Sequence, residues 1–293
     1  MPSSGLCRSL ALITASGLGG CSGGLFDPAG PVSSAERTIL YNSLGIMLAI
    51  IVPTIIATLG VAWWFRASNK RAHHMPDWQY SGRIEMIVWS IPAMTILLLG
   101  GIDWIGSHQL DPYKPIVNQG KALRIQVVSL DWKWLFILPD QGIASVNKVV
   151  VPTGIPLSFR LTASGVMNSF LVPQLGSQIA LMPRMETQLH LRADRPGSYR
   201  GYSTNFSGDG YAGMAFTIDA VPAGRFDQAV TAIRGRGPDL DAAGYAELAK
   251  PSEAVPAYTY GAVSPGLFDR IVAPEAPAAG PIPAQRANTP EED

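Results

Sequence analysis

The sequence predicts a membrane protein of mixed α+β class: a two-helix transmembrane hairpin followed by an external β-sandwich and a short helical carboxy-terminal arm. Three observations carry this. Two long runs in the first third of the chain are almost free of charge. The middle third breaks into short alternating apolar stretches separated by turn residues. After Pro222 the apolar spacing changes to three and four residues.

The amino terminus reads as an export signal. Arg8 supplies a positive start, an apolar stretch follows at residues 10–13, and Leu18-Gly19-Gly20-Cys21 has the small residues before a cysteine that suit lipoprotein processing. Residues 1–20 are therefore a signal peptide, Cys21 the acylated mature terminus, and 21–38 an external segment. Cys7, with no apolar region before it, is a poor competitor. These are the only two cysteines among 293 residues, so the rest of the chain can hold neither a disulfide framework nor a cysteine-based metal site.

Residues 39–65 contain no charge and exceed the roughly 20 residues that cross a bilayer. Trp63, Trp64 and Phe65 end the run in an aromatic belt. The second span, 84–106, is interrupted by Glu85 and closes near Trp104. Arg66, Lys70, Arg71 and Arg83 cluster at 66–83, which the positive-inside rule places in the cytoplasm. Everything from residue 107 is then outside, in agreement with the export signal. Glu85 is the ionisable group near the cytoplasmic end of an apolar run; a carboxylate there is costly and marks either a proton route or an interfacial residue that reaches for headgroups or pairs with Arg83.

Residues 107–222 form the external domain, with strands expected at 124–130, 157–161 and 187–192 and turns at 139–142, 152–154 and 195–197. Residues 223–272 form the helical arm, and 273–293, rich in Pro and Ala, are expected to be disordered. The 22 basic and 22 acidic side chains cancel, so no field favours nucleic acid, and membrane lipid is the expected surrounding.

Several segments carry a resemblance. Residues 131–136 (DWKWLF), 166–176 (VMNSFLVPQLG) and 201–214 (GYSTNFSGDGYAGM) are similar to the aromatic and ligand-bearing segments of subunit II of the haem–copper oxidases. The resemblance implies a cupredoxin-like Greek-key sandwich. It also implies where a dinuclear copper centre would sit: Asn168 at the first histidine position, Ser203 and Ser207 at the cysteine positions, Asn205 at the carbonyl position, Tyr211 at the second histidine position and Met214 at the thioether. From Ser203 the later positions lie four, eight and eleven residues on to Ser207, Tyr211 and Met214. Copper of this kind needs soft thiolate and imidazole donors, and a neutral serine hydroxyl does not replace a thiolate. The expected metal set is therefore none, with these six positions vestigial.

Preserved spacing without ligands resembles the quinol oxidases of cytochrome bo type. That implies a non-copper subunit II of a proton-pumping quinol:oxygen oxidoreductase in the bacterial inner membrane. Haems, active-site copper and the quinol site would belong to subunit I; subunits III and IV are further partners, and cytochrome c is not one. Glu85 would stand at the mouth of a proton channel. Trp132 and Trp134 would serve packing, and His190, between Leu189 and Leu191 in an alternating strand, would be a hydrogen-bonded surface residue. Two other readings stand beside it: a copper electron carrier, opposed by the missing cysteines, and a free-standing lipoprotein whose sandwich binds a ligand or envelope protein.

Overall fold

The computed structural model describes residues 24–73, 75–116 and 120–273. The expected signal peptide, Cys21 and the tail beyond residue 273 lie outside the described residues.

Helix α1 spans Pro31–Trp64 and α2 spans Gly82–Gln109. Both are long and apolar enough to cross a membrane, and none of the side chains in their apolar cores is buried within the chain. At 1.5 Å per residue, the 34 residues of α1 reach about 50 Å, well beyond the roughly 30 Å of a bilayer core. Its extra turns lie at the amino-terminal end, where the sequence is more polar. Pro31 suits the first helical position, since its fixed φ fits and its missing N–H would have had no partner. Ser33 accepts from the Gly30 amide at 3.3 Å, and its hydroxyl donates to the Gln174 carbonyl at 2.7 Å.

This end of α1 is built into the sandwich. Ala29 belongs to the sandwich core; its amide donates to Gln174 and its carbonyl accepts from Asp194. A Cβ on Gly30 would lie 2.3 Å from the Arg192 carbonyl, so only glycine allows this approach. Arg195 pairs with Asp27 at 2.9 Å. Beyond α2, the Pro112 carbonyl accepts from the amide of His190 at 3.2 Å. The two helices also touch: a Cβ on Gly106 would come within 2.9 Å of Ile39 Cδ1.

Ten strands follow: β1 Leu123–Leu130, β2 Lys133–Leu138, β3 Ile143–Val146, β4 Lys148–Pro152, β5 Leu157–Ala163, β6 Asn168–Val172, β7 Gly176–Leu181, β8 Thr187–Leu191, β9 Gly197–Tyr202 and β10 Ala215–Val221. The arm adds α3 Ala223–Ile233, β11 Asp239–Leu240, α4 Ala242–Leu248, β12 Tyr258–Tyr260, β13 Ala262–Val263 and α5 Leu267–Val272. One sheet has the order β12-β3-β2-β1-β5-β8, and the facing sheet β4-β10-β9-β6-β7. Pairings β1–β5 and β4–β10 are parallel, the mark of strands that cross between hairpins. The arm is not purely helical, because β12 pairs with β3 and extends the first sheet.

Between the sheets lies an aromatic core in which Phe170 contacts Trp134, Phe136, Phe159 and Phe216 at centroid distances of 4.7–6.5 Å. A second core lies on the outer face of the first sheet. There Val128, Leu130, Leu135, Ile137 and Val146 are covered by Leu240, Leu248, Tyr260, Leu267 and Phe268 of the arm. Strands β1 to β3 therefore have both faces buried along much of their length.

Candidate functional site

The loop at 203–214 joins β9 to β10, and β6 lies beside β9 through the Leu171–Tyr202 pair. This topology carries Asn168, the first residue of β6, to the same end of the sandwich as Ser203. The Ser203 hydroxyl donates to Asn168 Oδ1 at 2.9 Å, and Asn168 Nδ2 donates to the Ser129 hydroxyl at 2.6 Å. All three residues are buried. Ser203 also reaches the Asn205 carbonyl at 3.3 Å, and Tyr211 Oη donates to the Ser203 carbonyl at 3.1 Å. Ser207 Oγ lies 4.0 Å from Met214 Sδ, and Met214 is buried. The six positions singled out from the sequence thus sit in one connected cluster.

Residues that the spacing did not point to complete it. Ser129, from β1, is the acceptor for Asn168. Trp132, in the two-residue turn between β1 and β2, donates from Nε1 to the Ser207 carbonyl at 3.0 Å. Its ring lies flat on the loop, where a Cβ on Gly210 would meet Trp132 Cδ2 at 2.4 Å. Trp132 has φ of 61°, a left-handed conformation unusual for an aromatic residue. Gly208, at φ 105°, makes the loop's own reversal. The paired Gly208 and Gly210 opposite an aromatic turn were the signal available in the sequence.

Two dinuclear-site coppers need a pair of bridging thiolates and two imidazoles, but this cluster offers an amide, hydroxyls, a phenol and one thioether. Its amide and its Ser203 and Tyr211 hydroxyls are already engaged with one another or with backbone. The residues do not fit such a centre. Among the described residues no group of three or more His, Cys, Asp or Glu side chains gathers elsewhere.

The rim of the cluster is apolar and exposed: Val166, Met167, Met182, Met185 and above all Phe206, which is 79% accessible. Trp134, in contrast, is fully buried in the aromatic core. The His190 ring donates from Nδ1 to the Pro112 carbonyl (3.2 Å) and shares a hydrogen bond with Ser158 Oγ at Nε2 (3.3 Å), while Leu189 and Leu191 point into the core. Glu85 is exposed in the first turn of α2, where the positive end of the helix dipole favours a carboxylate. Cys21 lies outside the described residues.

Residues 108–233 match the family described as cytochrome c oxidase subunit II, periplasmic domain, and residues 234–274 match the COX aromatic rich motif. The cytochrome bo(3) ubiquinol oxidase subunit 2 of Pseudomonas aeruginosa is 46% identical over 263 residues, covering 90% of this chain and 80% of the relative. The chain belongs to the ubiquinol oxidase subunit 2 family. The ubiquinol oxidase subunit 2 of Acetobacter aceti is 44% identical over 258 residues, covering 87% of this chain and 84% of its own. A solved structure, the periplasmic domain of subunit II of cytochrome oxidase from Bradyrhizobium japonicum, is 25% identical with a TM-score of 0.37, covering 39% of this chain and 94% of that one. In this family's terms, the cluster around Asn168 and Ser203 lies within the periplasmic domain, and the second core is formed by the aromatic rich motif.

Proposed function

We propose that this chain is a structural and proton-uptake subunit of a quinol:oxygen oxidoreductase in the bacterial inner membrane, with no redox centre of its own. The observation that carries it is the Ser129–Asn168–Ser203 hydrogen-bond chain, standing where a copper relay would need thiolates and imidazoles. Quinol dissolves in the bilayer and can deliver electrons to a membrane subunit directly, so no relay from a soluble carrier is required. Haems, copper and the quinol site then belong to subunit I, and subunits III and IV complete the complex.

Helices α1 and α2 cross the membrane with the basic 66–83 segment inside, and the acyl group on Cys21 adds a second attachment outside. Subunit I covers the apolar rim formed by Val166, Met167, Met182, Met185 and Phe206, a patch that is costly to leave in water. Glu85, at the cytoplasmic end of α2, feeds protons toward subunit I.

The test is affinity purification of the tagged chain from detergent extract, with haem followed by its absorption spectrum. Stoichiometric haem travelling with the chain is the expected result. A chain that comes out folded, abundant and without haem would instead be a free-standing lipoprotein with a binding module.

A further inference from the structure

The cluster at 203–214 is braced from the opposite side of the sandwich, and the brace runs through one turn. Leu130 pairs with Lys133, so the β1–β2 connection consists of Asp131 and Trp132 alone. Trp132 holds a strained positive φ there, which persists only where its surroundings over-determine it. On one side the loop does so, through the Ser207 carbonyl and the close fit of Gly210 against the indole.

On the other side, the next residue is fixed to the arm. Lys133 is 2% exposed and lies in the outward row with Leu135 and Ile137, beneath the arm. Its ammonium donates to the Lys250 carbonyl at 2.6 Å and the Ser252 hydroxyl at 2.5 Å. Among the described residues it has no carboxylate within ion-pair distance. Burying a cation without a counter-ion is costly, and an apolar side chain would fill the same path at less cost. What the lysine adds is a directed hold on residues 250–252.

A second contact reaches the cluster independently. Tyr245 of α4 donates to the Ser164 hydroxyl at 3.1 Å, and the Ser164 amide donates to the carbonyl of Ser129, the residue that receives Asn168. From these contacts we infer that the arm sets the conformation of the 203–214 loop, with the Asp131–Trp132 turn as the mechanical link and Tyr245–Ser164 as its support. The arm and the loop face are then energetically coupled: a partner that binds one shifts the other, and reciprocally. The inference rests on the geometry of this chain and stands whether or not the loop faces subunit I.

Hydrogen–deuterium exchange of the full-length chain in detergent, read by mass spectrometry at peptide level, tests it. Lys133→Met should speed exchange in both 242–255 and 203–214, by about five- to tenfold, the loss of a charged group's hydrogen bonds expressed as local opening. Trp132→Phe keeps an aromatic side chain but loses the N–H to the Ser207 carbonyl, and should speed the loop most and the arm to a smaller degree, as reciprocal coupling through the turn requires. Arg160→Gln cuts the contact to Asp269 of α5, away from the turn, and should leave the loop unchanged. If Lys133→Met does not fold, Ser252→Ala removes one acceptor and carries the same expectation. An arm that loosens in Lys133→Met or Ser252→Ala without any change at 203–214 overturns the inference, and so does an equal loop response in Arg160→Gln.

Discussion

Removing the amide at the centre of the buried cluster gives the most direct measure of what holds it together. In Asn168→Ala, the side chain that receives the Ser203 hydroxyl and donates to Ser129 is gone. Ser203 keeps its contact to the Asn205 carbonyl, but Ser129, 1% exposed, loses the side-chain bond to Asn168. Two hydrogen bonds at about 1 kcal/mol each, plus about 1 kcal/mol for a desolvated hydroxyl left behind, give a loss of about 3 kcal/mol. For a domain of this size that is a fall of about 10 °C in the melting midpoint, measured by near-ultraviolet circular dichroism of the full chain in detergent. The companion variant Asn168→Ala, Ser129→Ala, Ser203→Ala removes the stranded Ser129 hydroxyl and the Ser203 hydroxyl along with the amide, and should recover about 1 kcal/mol of that loss. A single variant that loses less than about 1 kcal/mol, or a triple variant no more stable than the single one, would show that packing and not polar satisfaction holds this end of the sandwich.

Combining Asn168→His, Ser203→Cys, Ser207→Cys and Tyr211→His should produce a purple, copper-binding domain, because the 203–214 loop and the start of β6 already gather these four positions at one end of the sandwich; protein that stays colourless with added copper would count against that convergence. Glu85→Ala should slow turnover of the purified oxidase while its haem content stays at the wild-type level, and unchanged turnover would make Glu85 a bystander. The Arg160 guanidinium, hydrogen-bonded at 2.7 and 2.5 Å, holds the Glu186 carboxyl below its usual range. Its contribution is present above the unfolded value near 4.5 and is lost as pH falls through the folded one, so Glu186→Gln should cost at most about 1 kcal/mol at neutral pH and progressively less as acid takes the pH below the unfolded value. Equal destabilisation of that variant in acid would refute the assignment.

What the sequence revealed depended on whether an element kept one wet face. Strands β8, β9 and β10 alternate between core and exterior, and their pattern is visible in residues such as Leu189, His190 and Leu191. Strand β2 is buried at every position because the arm covers its outer face, so it reads as a continuous apolar run headed by Lys133. The lysine was the visible sign of an interface whose other half lies over a hundred residues later in the chain. Strand β12, three residues long, has too few positions to show any period. The start of α1 at Pro31, eight residues before the apolar run, escapes a hydropathy reading since those turns are more polar and pack against the sandwich.

At the candidate site, loop spacing brought Ser203, Ser207, Tyr211 and Met214 into view, because a hairpin loop keeps its own residues close. Ser129 and Trp132 were not legible as members, being supplied by a neighbouring hairpin through tertiary packing alone. The left-handed turn at Trp132 contradicts local preference, and its cause lies in Gly210 and Ser207 across the gap.

The attachment of both long helices to one margin of the sandwich has a mechanical outcome. Ala29 and Ser33 are fixed against Gln174 and Leu175, and Pro112 against His190, so the domain stands on two short, stiff legs. At the start of α1 no residue intervenes between Gly30, packed against the Arg192 carbonyl, and Pro31, the first residue of the helix. Tilting the sandwich relative to α1 and α2 would therefore require bending or translating the helices themselves, and a motion imposed on the start of α1 arrives at the sandwich as a displacement of the whole body.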